Sequence, residues 1–180
     1  MKKITFMILL IFLGSANINK IAAQEGKHEL IVITQEDLAN DVTREALVTM
    51  KGLVLGDVLR FGEFDFTATT QFGGTSIMIC LDFVRELLEI NPELNIEIGI
   101  FTDSRGEAET NQLLSRQRAK AMVKILTVQG IDEGKLSYKG YGESELLNKC
   151  KDGKKCTDEK HRENRRLEVK IIDIPPIIMD

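Results

Sequence analysis

Residues 95–128 constrain the fold more than any other part of this chain. Ile96, Ile98 and Ile100 alternate with other residues as in a strand that buries one face. The chain then turns through Thr102-Asp103-Ser104-Arg105-Gly106 and enters a helical pattern that runs to about Val128, closed by Gly130 at a helix-stop position. A strand leading through a tight turn into a long helix commits this region to a sheet with a helix laid across it. One residue conflicts with simple packing. Steps of three and four from Arg118 reach Asn111, Leu114, Ser115, Ala121, Met122 and Ile125, so its guanidinium shares a face with residues that should point inward. A cation placed there needs an anion.

Asp103, at the exit of the strand, is the internal candidate, and two readings stand. In the first, Asp103 and Arg118 form an ion pair that holds the strand–turn–helix unit together. In the second, both line a shallow pocket that receives a ligand carrying one ammonium and one carboxylate. The planar fork of Arg118 matches a carboxylate, Asp103 accepts from the ammonium, and helix-start amides between Gly106 and Glu109 add donors for an anion.

The first residues read as a targeting signal. Lys2 and Lys3 precede an apolar run from Ile4 to Leu13 that is too short to span a bilayer, and small residues lead to Ala22-Ala23. Cleavage after Ala23 would leave about 157 residues, ample for one core. No cysteine lies in or just after this segment, so no lipid attachment is expected, and no later apolar run suits a transmembrane helix. Loss of Lys2, Lys3 and Lys20 leaves 21 basic against 28 acidic residues, a net of −7. That charge disfavours nucleic acid and anionic lipid, and the absence of Trp disfavours a stacking platform for bases or sugars.

Leu30 to Ile33 is a short β-like run, and Gln35 to Met50 reads either as a helix packed on the domain or as a loose lead-in. Leu53 to Phe66 reads as one or two strands broken at Gly62. Thr75 or Ser76 is placed to cap a helix with Ile77, Cys80, Leu81, Val84, Leu87 and Leu88 on one face, ended by Asn91-Pro92. Lys135 to Lys139 reads as a strand, Gly140-Tyr141-Gly142 as a turn, and Glu168 to Ile172 as the last strand before Pro175-Pro176. Strands alternating with two main helices, then two late strands, indicate an open sheet with helices on one face and the Asp103 turn at a strand's C-terminal end, where ligands tend to sit.

Five pieces in order carry a resemblance: TD-x-x-G at Thr102, N-x-x-LS-x-x-RA from Asn111, GI at Gly130, GYGE at Gly140 and NRR at Asn164. Together they resemble the OmpA-like C-terminal domain, the peptidoglycan-associated module of envelope proteins, and the likeness extends upstream to about Gly52. The cysteine-bearing loop described below resembles members of a Bacteroidetes-type lineage. The resemblance implies an α+β two-layer β-α-β-α-β-β domain with a mixed four-stranded sheet over residues 52–174. A signal at 1–23, an extension of unknown role at 24–51 and a tail at 175–180 flank it. It also implies noncovalent binding of peptidoglycan, in the periplasm or at the outer membrane, through the meso-diaminopimelate of the stem peptide. The binding aspartate falls on Asp103 and the binding arginine on Arg118, with Thr102, Asn111, Asn164 and Arg165 shaping or supporting the pocket. One departure stands beside the site: the family usually writes G-H-T-D where this chain has Ile100-Phe101-Thr102-Asp103. The loss of an imidazole there, and no β-barrel or lipid anchor in the reading, keep an alternative open, a module of the same fold that binds a protein partner in the envelope.

Cys150 and Cys156 bracket KDGKK in a polar loop, close enough to close a small disulfide ring in an oxidising compartment. The alternative is a metal held by Cys150, Cys156 and His161, but the spacing does not match the usual zinc patterns and a fourth ligand is not evident. No nucleophile–base set, phosphate loop or metal signature points to catalysis or to a cofactor. Glu107 and Glu109 fall in the first helical turn, where acids complement the helix dipole.

Overall fold

The computed structural model describes residues 28–50, 52–62 and 77–173, and the backbone of 20–21 and 74–76. Residues 1–19 of the expected signal, its cleavage point, the stretch Glu63 to Phe66 and the C-terminal tail lie outside the described residues. One mixed sheet forms the frame, with six strands in the order β1-β2-β3-β6-β4-β5. They are β1 (Lys20–Ile21), β2 (Leu30–Ile33), β3 (Val58–Phe61), β4 (Asn95–Phe101), β5 (Leu136–Gly142) and β6 (Arg166–Ile172). β2 runs parallel to β3 and β4 parallel to β5, whereas β6 lies antiparallel between β3 and β4. The helices are α1 (Gln35–Ala39), α2 (Asp41–Val48), α3 (Gly74–Ile90), α4 (Ala108–Val128) and α5 (Asp158–Asn164). None of the described helices is long and apolar enough to cross a membrane.

The two-layer α+β plan holds, with a wider sheet than the expected four strands. The difference lies at the N-terminal edge. β2 pairs with β3 from Leu30↔Val58 to Ile33↔Phe61, and β1, from within the segment read as a signal, pairs with β2. Ile31, Ile33, Leu38, Leu47 and Val48 therefore join one core with Leu59, Phe61, the inward face of α3, and Ile96, Ile98 and Ile100 of β4. Residues 30–48 thus share the sheet and the core of the domain they precede. Thr34 and Asn40 explain why the short helices start where they do: each side chain accepts a bond from a first-turn amide.

Strand alternation decides which side of the sheet carries chemistry. Leu167, Val169 and Ile171 of β6 point into the core with Ile96, Ile98 and Ile100. Their neighbours Phe101, Arg166 and Glu168 belong to the opposite face, where β4 and β6 pair Phe101 with Arg166 and Gly99 with Glu168.

The GYG segment departs from the expected turn. Gly140, Tyr141 and Gly142 form the last residues of β5, with a bulge against Ile100/Phe101, and the chain turns only after them. Glycine is present at 140 because α4 crosses there: a Cβ would collide with the backbone of Arg116 and the hydroxyl of Ser115. Gln112 donates to Gly140 O at 2.7 Å, and Ser115 Oγ accepts from Gly142 N at 2.9 Å. These bonds fix α4 against the end of β5 and so set where its arginine stands.

Candidate functional site

The site gathers at one end of the sheet, where β4 ends, β6 begins and α4 starts. Thr102 leaves β4 with its amide bonded to Gly142 O at 2.8 Å, and Asp103 follows. Asp103 is 6% exposed. Gly106, at φ +99°, allows the turn to reverse into α4 in a left-handed conformation that a residue with a Cβ rarely adopts. The carboxylate of Asp103 is fully engaged. Oδ1 accepts from the Arg105 backbone amide at 3.0 Å and from Arg105 Nε at 3.2 Å. Oδ2 accepts from Arg105 Nη2 at 2.8 Å and from Arg165 Nη1 at 2.6 Å. Burial alone would raise the pKa of this group, but the hydrogen bonds from Arg105 and Arg165 and the charge of Arg105 outweigh it and bring the pKa down to about 2.

Arg118 sits half-buried on α4. Burial, and then the positive charge of Arg165, lower its pKa, so both work against a second cation. Arg165 links the two predicted residues, bonded to Asp103 on one side and close enough to Arg118 for their charges to repel. Among the described contacts, the guanidinium groups that meet Asp103 are those of Arg105 and Arg165.

The supporting residues divide by role. Asn111, 7% exposed, reaches from the first turns of α4 to Asp103 O and Arg105 O, both at 3.3 Å, and to Glu143 Oε2 at 2.5 Å. It holds the turn's carbonyls against the helix. Thr102 Oγ1 is buried and has no hydrogen-bond partner. Asn164, fully buried, accepts from Leu147 N at 2.7 Å and donates to Asn148 Oδ1 at 3.0 Å and Lys160 O at 3.1 Å. It braces the loop before α5, which delivers Arg165 to the site. Arg105, Glu143 and Asp158 are the members of this cluster that periodicity did not single out. The signal for Arg105 was its position two residues after an aspartate, where a side-chain-to-amide turn bond forms readily.

Cys150 and Cys156 form a disulfide, with Cα atoms 6.0 Å apart. His161 Nε2 lies 3.9 Å from Cys150 Sγ, so the three residues do cluster, but the sulfurs are bonded to each other. Ser104 Oγ donates to Cys150 O at 2.8 Å, which hooks the cysteine loop to the residue after Asp103.

Phe101 faces away from the core, stacked on Tyr141 with ring centroids 4.3 Å apart, and the Arg166 guanidinium lies over its other side at 3.6 Å. Arg166 is 1% exposed and donates to Glu168 Oε1 at 2.7 Å, which also accepts from Arg60 Nε at 2.8 Å. Phe101 therefore anchors the second arginine of the NRR run and leaves the first, Arg165, to Asp103.

Residues 68–163, more than half the chain, match the OmpA family. The chain belongs to the OmpA family. Among solved structures it resembles a MotB-like protein from Desulfovibrio vulgaris, at 20% identity and TM-score 0.56, over 80% of this chain and 93% of that one. It also resembles the periplasmic domain of Helicobacter pylori MotB, at 20% identity and TM-score 0.54, over 67% of this chain and 76% of that one. A third is the peptidoglycan-associated lipoprotein from Burkholderia pseudomallei, at 22% identity and TM-score 0.51, over 61% of this chain and 87% of that one. At these identities the likeness is one of fold. A sequence relative, photosystem I P700 chlorophyll a apoprotein A2 from Gloeobacter violaceus, is 32% identical over 128 residues. That match covers 59% of this OmpA-family chain and 15% of the relative, so the chain spans only a small part of that protein's length.

Proposed function

We propose that this chain binds peptidoglycan noncovalently in the cell envelope, recognising the meso-diaminopimelate of the stem peptide at the turn after β4. The observation that carries the reading is that Arg165 brings together a buried, ionised Asp103, to which it is bonded, and a half-buried Arg118, whose charge is opposed by burial and by Arg165. A zwitterionic end group complements the charge of both residues. Its ammonium is attracted to Asp103, and its carboxylate offers Arg118 a bidentate partner while offsetting the repulsion from Arg165. Thr102 Oγ1, next to Asp103 in the chain, is buried without a hydrogen-bond partner, and Asn111, Asn164 and Arg165 hold the frame in place. Family membership supports the reading, as do neighbours described as periplasmic and peptidoglycan-associated. The action is recognition without a chemical step, and the place is the periplasm or the inner side of an outer membrane, reached through the signal at 1–23.

Cosedimentation of the protein with purified diaminopimelate-type peptidoglycan, beside Asp103→Ala and Arg118→Ala, tests it. Removing Arg118 deletes a charge-assisted pair worth on the order of 2 kcal/mol, which weakens binding by more than tenfold. The parent should pellet and both variants, folded by circular dichroism, should stay in solution. A parent that stays in solution favours the other reading, a protein-binding module of the same fold.

A further inference from the structure

In the ligand-free protein the acceptor positions of Asp103 are filled from within. Arg105 supplies its backbone amide, Nε and Nη2, and Arg165 supplies Nη1. A carboxylate offers about four acceptor sites, so an incoming ammonium must displace a donor. The two arginines differ in their freedom to leave. The Arg165 side chain is 11% exposed and comes from the braced junction between α5 and β6. The Arg105 side chain is 48% exposed, rises from a turn, and already reaches a second carboxylate, with Nη1 3.2 Å from Asp158 Oδ1. Asp158 is itself 81% exposed and opens α5.

We propose that Arg105 is a tethered stand-in for the ligand's ammonium, which swings from Asp103 to Asp158 when ligand binds and thereby sets the site's affinity and its selectivity for ammonium-bearing ligands. The inference rests on the binding reading above and deepens it. A buried aspartate left empty would bear the full penalty of an unpaired charge. Arg105 removes that penalty in the free protein, and a ligand gains only the difference between its own ammonium and the guanidinium it replaces. A ligand without an ammonium cannot replace Arg105 at Asp103. Asp158 is the resting place of the displaced side chain, and its charge keeps the open state accessible.

These roles give opposite signs to two neighbouring substitutions. Arg105→Gln removes the competitor and should tighten binding of free meso-diaminopimelate by about fivefold, the scale of one partly exposed ion pair. Asp158→Asn removes the resting place and should weaken binding by about twofold, and in the Arg105→Gln background it should have no effect. Pimelate, with the same carbon chain and both carboxylates but no amine, should bind Arg105→Gln no more tightly than the parent. The experiment is a titration of the isotope-labelled full chain followed by amide NMR shifts, with both probes against the parent, the two single variants and the double variant. Tighter diaminopimelate binding by Arg105→Gln, with the loss of any Asp158→Asn effect in the double variant, establishes the displacement. Weaker or unchanged binding by Arg105→Gln, with the parent still binding, overturns it and leaves the wall-binding reading intact. Absence of diaminopimelate binding by both the parent and Arg105→Gln overturns both.

Discussion

Two buried aspartates organise the two halves of the sheet, and they are satisfied in different ways. Asp57, 2% exposed, sits where β3 begins. Its Oδ1 accepts from Glu29 N and its Oδ2 from Val54 N, each at 2.8 Å, while its carbonyl accepts from Ile171 N at 2.9 Å. These donors belong to the main chain and have nowhere else to go. Asp103 is nearly as buried, yet apart from the Arg105 amide its partners are guanidinium groups, one of them half-exposed and shared with Asp158. Backbone donors make a pin that ties β2, β3 and β6 together. Side-chain donors make a socket whose contents can be exchanged. Equal burial of two carboxylates therefore says little about function, whereas the kind and exposure of their partners say a good deal.

The largest expected effect tests the pin. Asp57→Ala strips two charge-assisted bonds and leaves two amides without acceptors, which should lower stability by about 3 kcal/mol in urea unfolding. The folded fraction should bind ligand as the parent does. A matching loss of affinity would mean that the two halves of the sheet are coupled. The second effect concerns acid. Because the folded pKa of Asp103 lies below the unfolded value, its contribution is present above about pH 4 and is lost as pH falls toward 2. The shift corresponds to about 2 kcal/mol, so Asp103→Asn should be less stable than the parent at pH 7 by that amount. The gap between them should close as the pH is lowered to 2. A constant gap across that range would contradict the role given to Arg105 and Arg165.

The pin and the socket were not equally legible in the sequence. β4, the turn and α4 were readable because apolar alternation and helical periodicity survive without tertiary help, and they led to Asp103 and Arg118 directly. Leu30 to Ile33 was readable as a short strand, but its place in the sheet was not, because Ile31 and Ile33 become core only once β2 pairs with β3, a register that local pattern does not encode. Gly140-Tyr141-Gly142 resembled a turn because glycine pairs usually are one, while here the missing side chain makes room for α4. Arg165 reaches Asp103 from 62 residues away, and periodicity cannot choose among several arginines for one carboxylate.

Smaller effects sharpen the contrast inside the socket. Arg165→Ala should cost about 1.5 kcal/mol of stability, since it leaves a buried carboxylate short of a charged donor. Arg105→Ala should cost less, about 1 kcal/mol, since its pair is open to solvent. Thermal unfolding of the two variants side by side ranks them. An equal cost would mean that Arg105 is as fixed as Arg165.

The central claim is that this end of the sheet recognises the zwitterionic end of diaminopimelate. Its most direct test is cosedimentation of the protein with two preparations of peptidoglycan that differ only in the third residue of the stem, diaminopimelate in one and lysine in the other. Lysine retains the side-chain ammonium and lacks the second carboxylate. The account predicts that the protein pellets with the diaminopimelate wall and stays largely in solution with the lysine wall. Equal pelleting with both, or with neither, would contradict it.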